Sequence, residues 1–369
     1  MRIVLLRNIP EESSLRQRWN DLVLQMERSQ VFYTCEWALA LQSAYQATQN
    51  LLLFLGYDGE DLVGVACLSA DLHRQTVSFL TAATGDYCEF LSSPQRRAEF
   101  VEAVFNELRQ LGLRNLVLAN LPADSATPAA LRLAAKKCGF HFYIRPAYFC
   151  PQVELGSAVQ RQELKTTVTG KRQLRRCLKA MEREGRVTCT YLRSWPEIKA
   201  VLPDFFDTHV ARFRAKNGVS FLSAPERRFF MEELARRFSG TGIVTLTILK
   251  IGDRRVAWSY GFQFHDGWSL YQTTFDTRDE ENSPGYCLLA KILIEACDTA
   301  TLSRVDMGLG AEAYKEWFAN GTRQTLYATL TASSARHMRE VVRYRIASAL
   351  KRFPKLDAAI RSARSRLKV

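Results

Sequence analysis

No part of this 369-residue chain stays apolar for long. Runs such as Leu51 to Leu55 and Ile243 to Leu249 fall far short of the roughly 20 residues a membrane-crossing helix needs, so no such helix is expected. Met1 to Pro10 leads into Glu11 and Glu12 and lacks the apolar core and small-residue cleavage site of a signal peptide; it reads as a first strand. Histidine is scarce, with five in all, and none stands at ligand spacing from Cys, Asp or Glu, so no metal is expected. Nine cysteines form no Cys-x-x-Cys pair, and an odd total does not suggest a disulfide framework. A reducing cytoplasm is the expected compartment, with Cys67, Cys138, Cys189, Cys287 and Cys297 as buried neutral thiols.

The glycine-rich phosphate motifs are missing as well. Neither Gly-x-x-x-x-Gly-Lys-Ser/Thr nor Gly-x-Gly-x-x-Gly occurs, and there is no Gly-x-Ser-x-Gly nucleophile elbow. Asp306-Met307-Gly308-Leu309-Gly310 has only two glycines and follows a late strand, so it is not a nucleotide fingerprint.

What is present is ordinary globular composition, 47% hydrophobic and 24% charged, in a length that suggests two domains. The net charge of +13 is concentrated in two places. Arg161 to Arg186 holds nine basic residues against three Glu, and Arg336 to Val369 holds eleven against two acids, so the remainder is slightly acidic. Two local basic surfaces are therefore expected to meet the partners.

Periodicity gives strands at Arg2 to Leu6, Leu51 to Tyr57, Leu62 to Asp71, Thr76 to Leu80, Cys88 to Leu91, Asn115 to Leu118 and from Phe140 onward. Helices are expected over Glu12 to Arg28, Trp37 to Tyr45, Arg96 to Leu111 and Pro128 to Cys138, the last ended by Gly139. The plan restarts after residue 156. A helix over Arg161 to Arg183 precedes a strand at Val187 to Leu192, helices at Trp195 to Arg214 and Pro225 to Phe238, and strands at Val244 to Ile251, Arg254 to His265 and Trp268 to Asp276. Gly285 to Ala300, Arg304 to Met307, Glu312 to Phe318 and Thr325 to Ala332 follow as helix, strand, helix and strand. Asp58-Gly59, Gly252-Asp253 and Asp266-Gly267 mark hairpins. The division is 1–155, 156–335 and a basic helical tail, 336–369. That tail puts Met338, Val342, Ile346, Leu350 and Phe353 on one face, with Pro354 as a breaker. It reads as a packing helix with a solvated basic face or as an attachment to an anionic membrane surface or acidic partner.

The segment richest in chemistry is a strand, a polar loop and a helix. Asn282-Ser283-Pro284-Gly285 would present free N–H groups at a helix start, a cradle for phosphate or pyrophosphate. A plain capped helix has the same sequence signature.

The second half resembles the acetyltransferase domain of the GNAT superfamily found in cellulose-biosynthesis (CelD-like) proteins, related to Fem-type peptidyltransferases. The resemblance rests on Lys171-Arg172-x-x-Arg175-Arg176 followed by Gly185, Phe205 with His209 and Arg212, Asp253 to Ala257, Tyr271 to Asp276, Ser283-Pro284-Gly285, and the Asp306 to Gly310 run closing on Tyr314-Lys315. It covers residues 150 to 330 well. The first half is similar to the same family's leading domain through Phe32-x-x-x-Glu36-Trp37 and Asp86-Tyr87. It implies an α/β (α+β) class with tandem GNAT-like domains, each a mixed, mostly antiparallel sheet flanked by helices. It also implies acetyl-CoA or another acyl-CoA as co-substrate and direct attack by an acceptor amine or hydroxyl.

Under that resemblance the catalytic candidates are His209, with an ordinary pKa near neutrality, Asp276, Asp306, and the pair Tyr314 and Lys315. Glu312 is a weaker candidate of the same kind. Tyr271, Thr273, Asn282, Ser283, Gly285 and Tyr286 would hold the acyl-CoA. Lys171, Arg175 and Arg212 would bind a phosphorylated acceptor or nucleotide-linked sugar. Each has a bland counterpart: a core histidine, a turn-capping Asp276, a structural Tyr314–Lys315 pair, a solvated basic face. The implied setting is a polysaccharide or cell-envelope precursor, in the cytoplasm or at the inner face of its membrane. Aminoacyl-tRNA is the alternative donor, although no long heptad run marks the helical arm of Fem-type proteins. A non-catalytic basic scaffold is the third reading, weakened because Tyr191 and Trp195 lie beyond the basic cluster.

Overall fold

A computed structural model describes residues 1–310 and 312–351. The first half runs β1 (Arg2–Leu6), α1 (Ser13–Leu24), α2 (Cys35–Tyr45), β2 (Asn50–Asp58), β3 (Asp61–Asp71), β4 (Thr76–Phe79), α3 (Arg97–Gln110), β5 (Asn115–Pro122), α4 (Thr127–Cys138) and β6 (His141–Glu154). Two connecting helices follow, α5 (Ala158–Gly170) and α6 (Arg172–Glu182). The second half repeats the order: β7 (Val187–Leu192), α7 (Trp195–Ala215), α8 (Pro225–Arg237), β8 (Val244–Ile251), β9 (Arg254–Phe264), β10 (Gly267–Phe275), α9 (Pro284–Asp298), β11 (Arg304–Asp306), α10 (Ala313–Glu316) and β12 (Gly321–Thr331). The helix α11 (Ser334–Lys351) closes the described chain.

All twelve strands form one mixed sheet in the order β1-β2-β3-β4-β5-β12-β6-β11-β10-β9-β8-β7. Among the described residues, only β4 with β5 and β10 with β11 pair in parallel. The last strand of the second half is therefore inserted between β5 and β6 of the first, crossing the division expected at residue 155.

The alternation of a strand explains how both faces are filled. On β2, Leu51, Leu53 and Leu55 join the core beneath α1 and α2, whereas Leu52 and Phe54 join the one beneath α3 and α4. The first of these cores continues into the second half. Trp37 of α2 lies edge-on to Phe230 of α8, Phe262 of β9 and Tyr271 of β10, at 5.3, 5.4 and 5.4 Å between ring centroids. Such a buried aromatic knot joins the halves through dispersion and area.

Several local expectations need correction. The helix expected over Arg161–Arg183 is two helices, because Lys171 takes an extended conformation after Gly170 and serves both as the end of α5 and the start of α6. That bend lets Val168, Leu174, Cys177 and Met181 reach the same apolar layer as α9. Cys88 to Leu91 is not a strand. It is an irregular plug that exchanges two backbone hydrogen bonds between Leu91 and Val65 and gives the Cys88 N–H to the Asn120 carbonyl. The tail helix packs its Tyr344 near Tyr143 and Arg145 while Met338, Val342 and Ile346 are 56%, 45% and 56% exposed, so this face is not a packing face among the described residues. Phe353 and Pro354 lie outside the described residues, as does the Leu350 side chain. No helix among the described residues is long and apolar enough to cross a membrane.

Candidate active site

Strands β10 and β11 pair over only three residues, Gly267 to Ser269 against Arg304 to Asp306. Beyond that β10 runs on to Phe275, with a bulge between Leu270 and Gln272, while the chain leaves β11 through Met307-Gly308. A cavity of about 690 Å³ occupies the resulting gap. Its walls come from both halves: Thr84 to Asp86 and Asn120 from the first, and Arg212, Arg227, Tyr271, Thr273 and Lys315 among those from the second. Leu288, Leu289 and Ile292 of α9 add apolar side chains to the wall, and Gly285 in the first turn of α9 also lines it.

Met307, Gly308 and Leu309 contribute another part of the wall. Gly308 and Gly310 adopt φ of +74° and +101°, a region that favours glycine. A Cβ on Gly308 would stand 2.9 Å from Asp86 Oδ2 and 3.3 Å from the Leu270 carbonyl oxygen. The turn is thus pressed between the first half and the bulged strand. Asp306 is buried and saturated: it accepts from Tyr87 Oη and Gln152 Nε2, both at 2.6 Å, and from the Gly308 N–H at 2.9 Å. Arg227 of α8 donates to the Ala83 carbonyl and to Tyr271 Oη, and Tyr271 donates to the Thr84 carbonyl, so the loop carrying Asp86 is held by the second half.

Seven residues expected at the site line the cavity: His209, Arg212, Tyr271, Thr273, Gly285, Tyr314 and Lys315. Arg212 lies over the Phe275 ring at 4.2 Å and donates to the Thr273 carbonyl. Lys315 is buried, with Nζ 2.7 Å from Glu312 Oε2. Burial pushes the Tyr314 hydroxyl up to about 12.

Other expectations fail on position or charge. His209 does not titrate near neutrality: burial, with Arg212 nearby, lowers it to about 4, and its Nδ1 is 2.8 Å from Ser220 Oγ. Asp276 caps the turn at Thr277–Asn282 by accepting the Arg278 N–H and pairs with the Arg278 guanidinium, so it does not line the cavity. Asn282, Ser283 and Tyr286 lie outside the lining, and Tyr286 packs on Phe318 instead. Lys171, capping the start of α6, and Arg175 within it are not in the cavity lining, and Lys171 lies over the Phe318 ring.

Asp86 and Arg227 were not among the expected site residues. Asp86 appeared only as a mark of resemblance; its signal is an acid directly after Thr84-Gly85, between the apolar runs at Phe79-Leu80 and Phe90-Leu91. Its carboxyl is raised to about 7, first by burial and then by Asp306, against the opposing pull of Lys315, Arg227 and the Leu309 N–H. Among the described residues, no group of three or more His, Cys, Asp or Glu is placed to hold a metal ion.

Comparison with known proteins agrees with this geometry. Residues 169–316 match the family model described as an acetyltransferase (GNAT) domain. No curated protein matches the chain in sequence. Among solved structures, FemX aligns over 89% of this chain and 97% of its own at 9% identity, with a TM-score of 0.60. L-PGS from Bacillus licheniformis aligns over 92% and 98% at 10% identity and 0.55. A conserved protein of unknown function from Bacteroides thetaiotaomicron aligns over 89% and 100% at 13% identity and 0.55. At such identities these likenesses speak for the fold alone. The chain has a GNAT fold with a mixed sheet and flanking helices, and it is an acyltransferase of the GNAT type.

Proposed function

We propose that this acyltransferase moves an acyl group, acetyl in the simplest case, from an acyl-CoA thioester to an amine or hydroxyl of a polysaccharide or cell-envelope precursor, as CelD-like proteins imply. The observation that carries this reading is the gap between β10 and β11, which joins the start of α9 to a buried polar cluster at the first half. The first-turn N–H groups of α9 suit the pyrophosphate. Leu288, Leu289 and Ile292 suit the thioester arm. Direct attack then needs two substrates held in register and a positive group near the developing oxyanion; Lys315 lines the cavity and fits that role.

Calorimetric titration with acetyl-CoA and with a longer acyl-CoA tests the donor. Wild type should bind one of them, and Gly285→Asp, which puts negative charge at the start of α9, should weaken it by about tenfold or more. Binding of neither thioester overturns the reading.

A second donor, aminoacyl-tRNA, is favoured by a separate observation. Asp276, Asp279, Glu280 and Glu281 crowd the approach to α9 with Glu184 beside them, while Arg172, Arg175, Arg176 and Lys179 of α6 form no ion pair among the described residues. Trp317, 56% exposed beside Tyr286, offers a stacking surface near Lys171. Loss of activity on RNase treatment would select this donor. The exposed stripe of α11, flanked by Arg339, Arg343 and Arg345, supports peripheral attachment to the inner membrane face. Nine free cysteines fit a reducing cytoplasm.

A further inference from the structure

An amine that attacks a thioester must give up protons, and the cavity offers few places to put them. His209 is held neutral and faces Ser220. Glu312 is paired with Lys315 at 2.7 Å and is largely exposed. Asp306 is saturated by three donors. Asp86 differs from all of these. It lines the cavity, forms no side-chain hydrogen bond or ion pair among the described residues, and meets only the Leu309 backbone N–H.

We propose that Asp86, supplied by the first half, is the catalytic residue that takes the proton of an amine acceptor attacking the thioester held by the second half. The inference rests on the acyl-transfer reading and narrows its acceptor to amines. A carboxylate that forms no ion pair among the described residues attracts an ammonium group more strongly than a neutral hydroxyl. The sequence of events balances without a further reactant. Asp86 removes one proton from the ammonium nitrogen. The freed lone pair attacks the carbonyl carbon and a C–N bond forms. The C–S bond then breaks, the thiolate takes the second nitrogen proton, and amide and thiol result. Asp86 finally returns its proton to solvent.

The surroundings fit a group that gains and loses a proton at ordinary pH. Burial and Asp306 at the end of β11 hold the carboxyl up at about 7. Lys315 of α10 and Arg227 of α8 keep it from rising further, and Tyr271 of β10 with the buried thiols of Cys88 and Cys150 are its other titratable neighbours. Gly308 keeps the access open, because any side chain there would meet Asp86 Oδ2.

Asp86→Asn and Asp86→Glu test the assignment, since Asn keeps the size and an acceptor for the Leu309 N–H. Acetyl-CoA binding by calorimetry should be the same in wild type and Asp86→Asn; absence of binding in wild type would sink the donor reading, not this one. Thiol release from acetyl-CoA with ethanolamine as acceptor should rise through an apparent pKa of about 7 in wild type. It should fall by about 100-fold or more in Asp86→Asn and recover in part in Asp86→Glu. A wild-type rate and pH profile in Asp86→Asn would overturn the proposal. Carbon-13 NMR of aspartate-labelled protein decides independently of donor and acceptor: one carboxyl should titrate near neutrality and vanish in Asp86→Asn. If every aspartate titrates below about pH 5, Asp86 cannot serve.

Discussion

The two halves follow one plan and treat the same gap in opposite ways. In the first, β4 stops after four residues and touches β5 at a single pair, Val77 and Leu116. The space beyond is filled by Tyr87 to Leu91, with Phe90 fully buried between Phe79 and Phe105. In the second, β10 runs well past its last pairing with β11 and the space stays open. An identical strand order therefore yields a packed core in one place and a reaction chamber in the other. The difference lies in the loop after each strand, which in the first half turns Tyr87, Cys88, Phe90 and Leu91 inward and in the second, after Phe275, is highly charged and holds no buried apolar side chain before Pro284.

Truncating side chains in the two gaps should break the symmetry most visibly. Phe90→Ala should cost about 3–5 kcal/mol by denaturant unfolding, because nothing can collapse into its place. Leu289→Ala should cost less, about 2 kcal/mol at the low end for such a truncation, since its side chain already borders open space. Equal costs would mean that the second gap is closed in solution.

Acid should act next, through His209 of the second half. His209 is buried with its pKa lowered from 6.5 to about 4, so the unfolded chain binds more protons than the folded one between those values. Stability is present above pH 6.5 and is lost as pH falls toward 4, on the order of 2 kcal/mol. A His209→Gln variant should show a flatter stability profile across that window. Gly308→Ala should lower stability by about 1–3 kcal/mol through its positive φ and reduce activity further by displacing Asp86. Unchanged turnover there would separate Asp86 from the chemistry. The smallest effect on folding is expected in α11. Met338→Glu with Val342→Glu should change stability by less than about 0.5 kcal/mol yet abolish flotation with phosphatidylglycerol vesicles.

Much of the architecture was legible because it is local. Asp58-Gly59 and Gly252-Asp253 close hairpins with positive φ at each glycine, and Gly139 ends α4 in the left-handed region, as turn chemistry requires. The site was legible only in part. Tyr271 and Thr273 follow from strand position, but Asp86 approaches Gly308 across more than two hundred residues of sequence, and no periodicity reports such a meeting. His209 lies on a helical face that reads as half-polar until Phe213 stacks on it and Ser220 closes over it. Asp276 shows the reverse: a carboxylate at a strand end serves the next turn more readily than a substrate.

The insertion of β12 bears on how the chain is made. A ribosome that has released residues 1–155 has delivered β5 and β6 with a strand-wide slot between them, and the strand that fills it is still some 165 residues from emergence. Until then both strands present unpaired backbone edges, the kind of surface on which nascent chains misassociate. The first half therefore cannot mature ahead of the second during synthesis, and a fragment ending near residue 155 should need a supplied β12 peptide to become soluble.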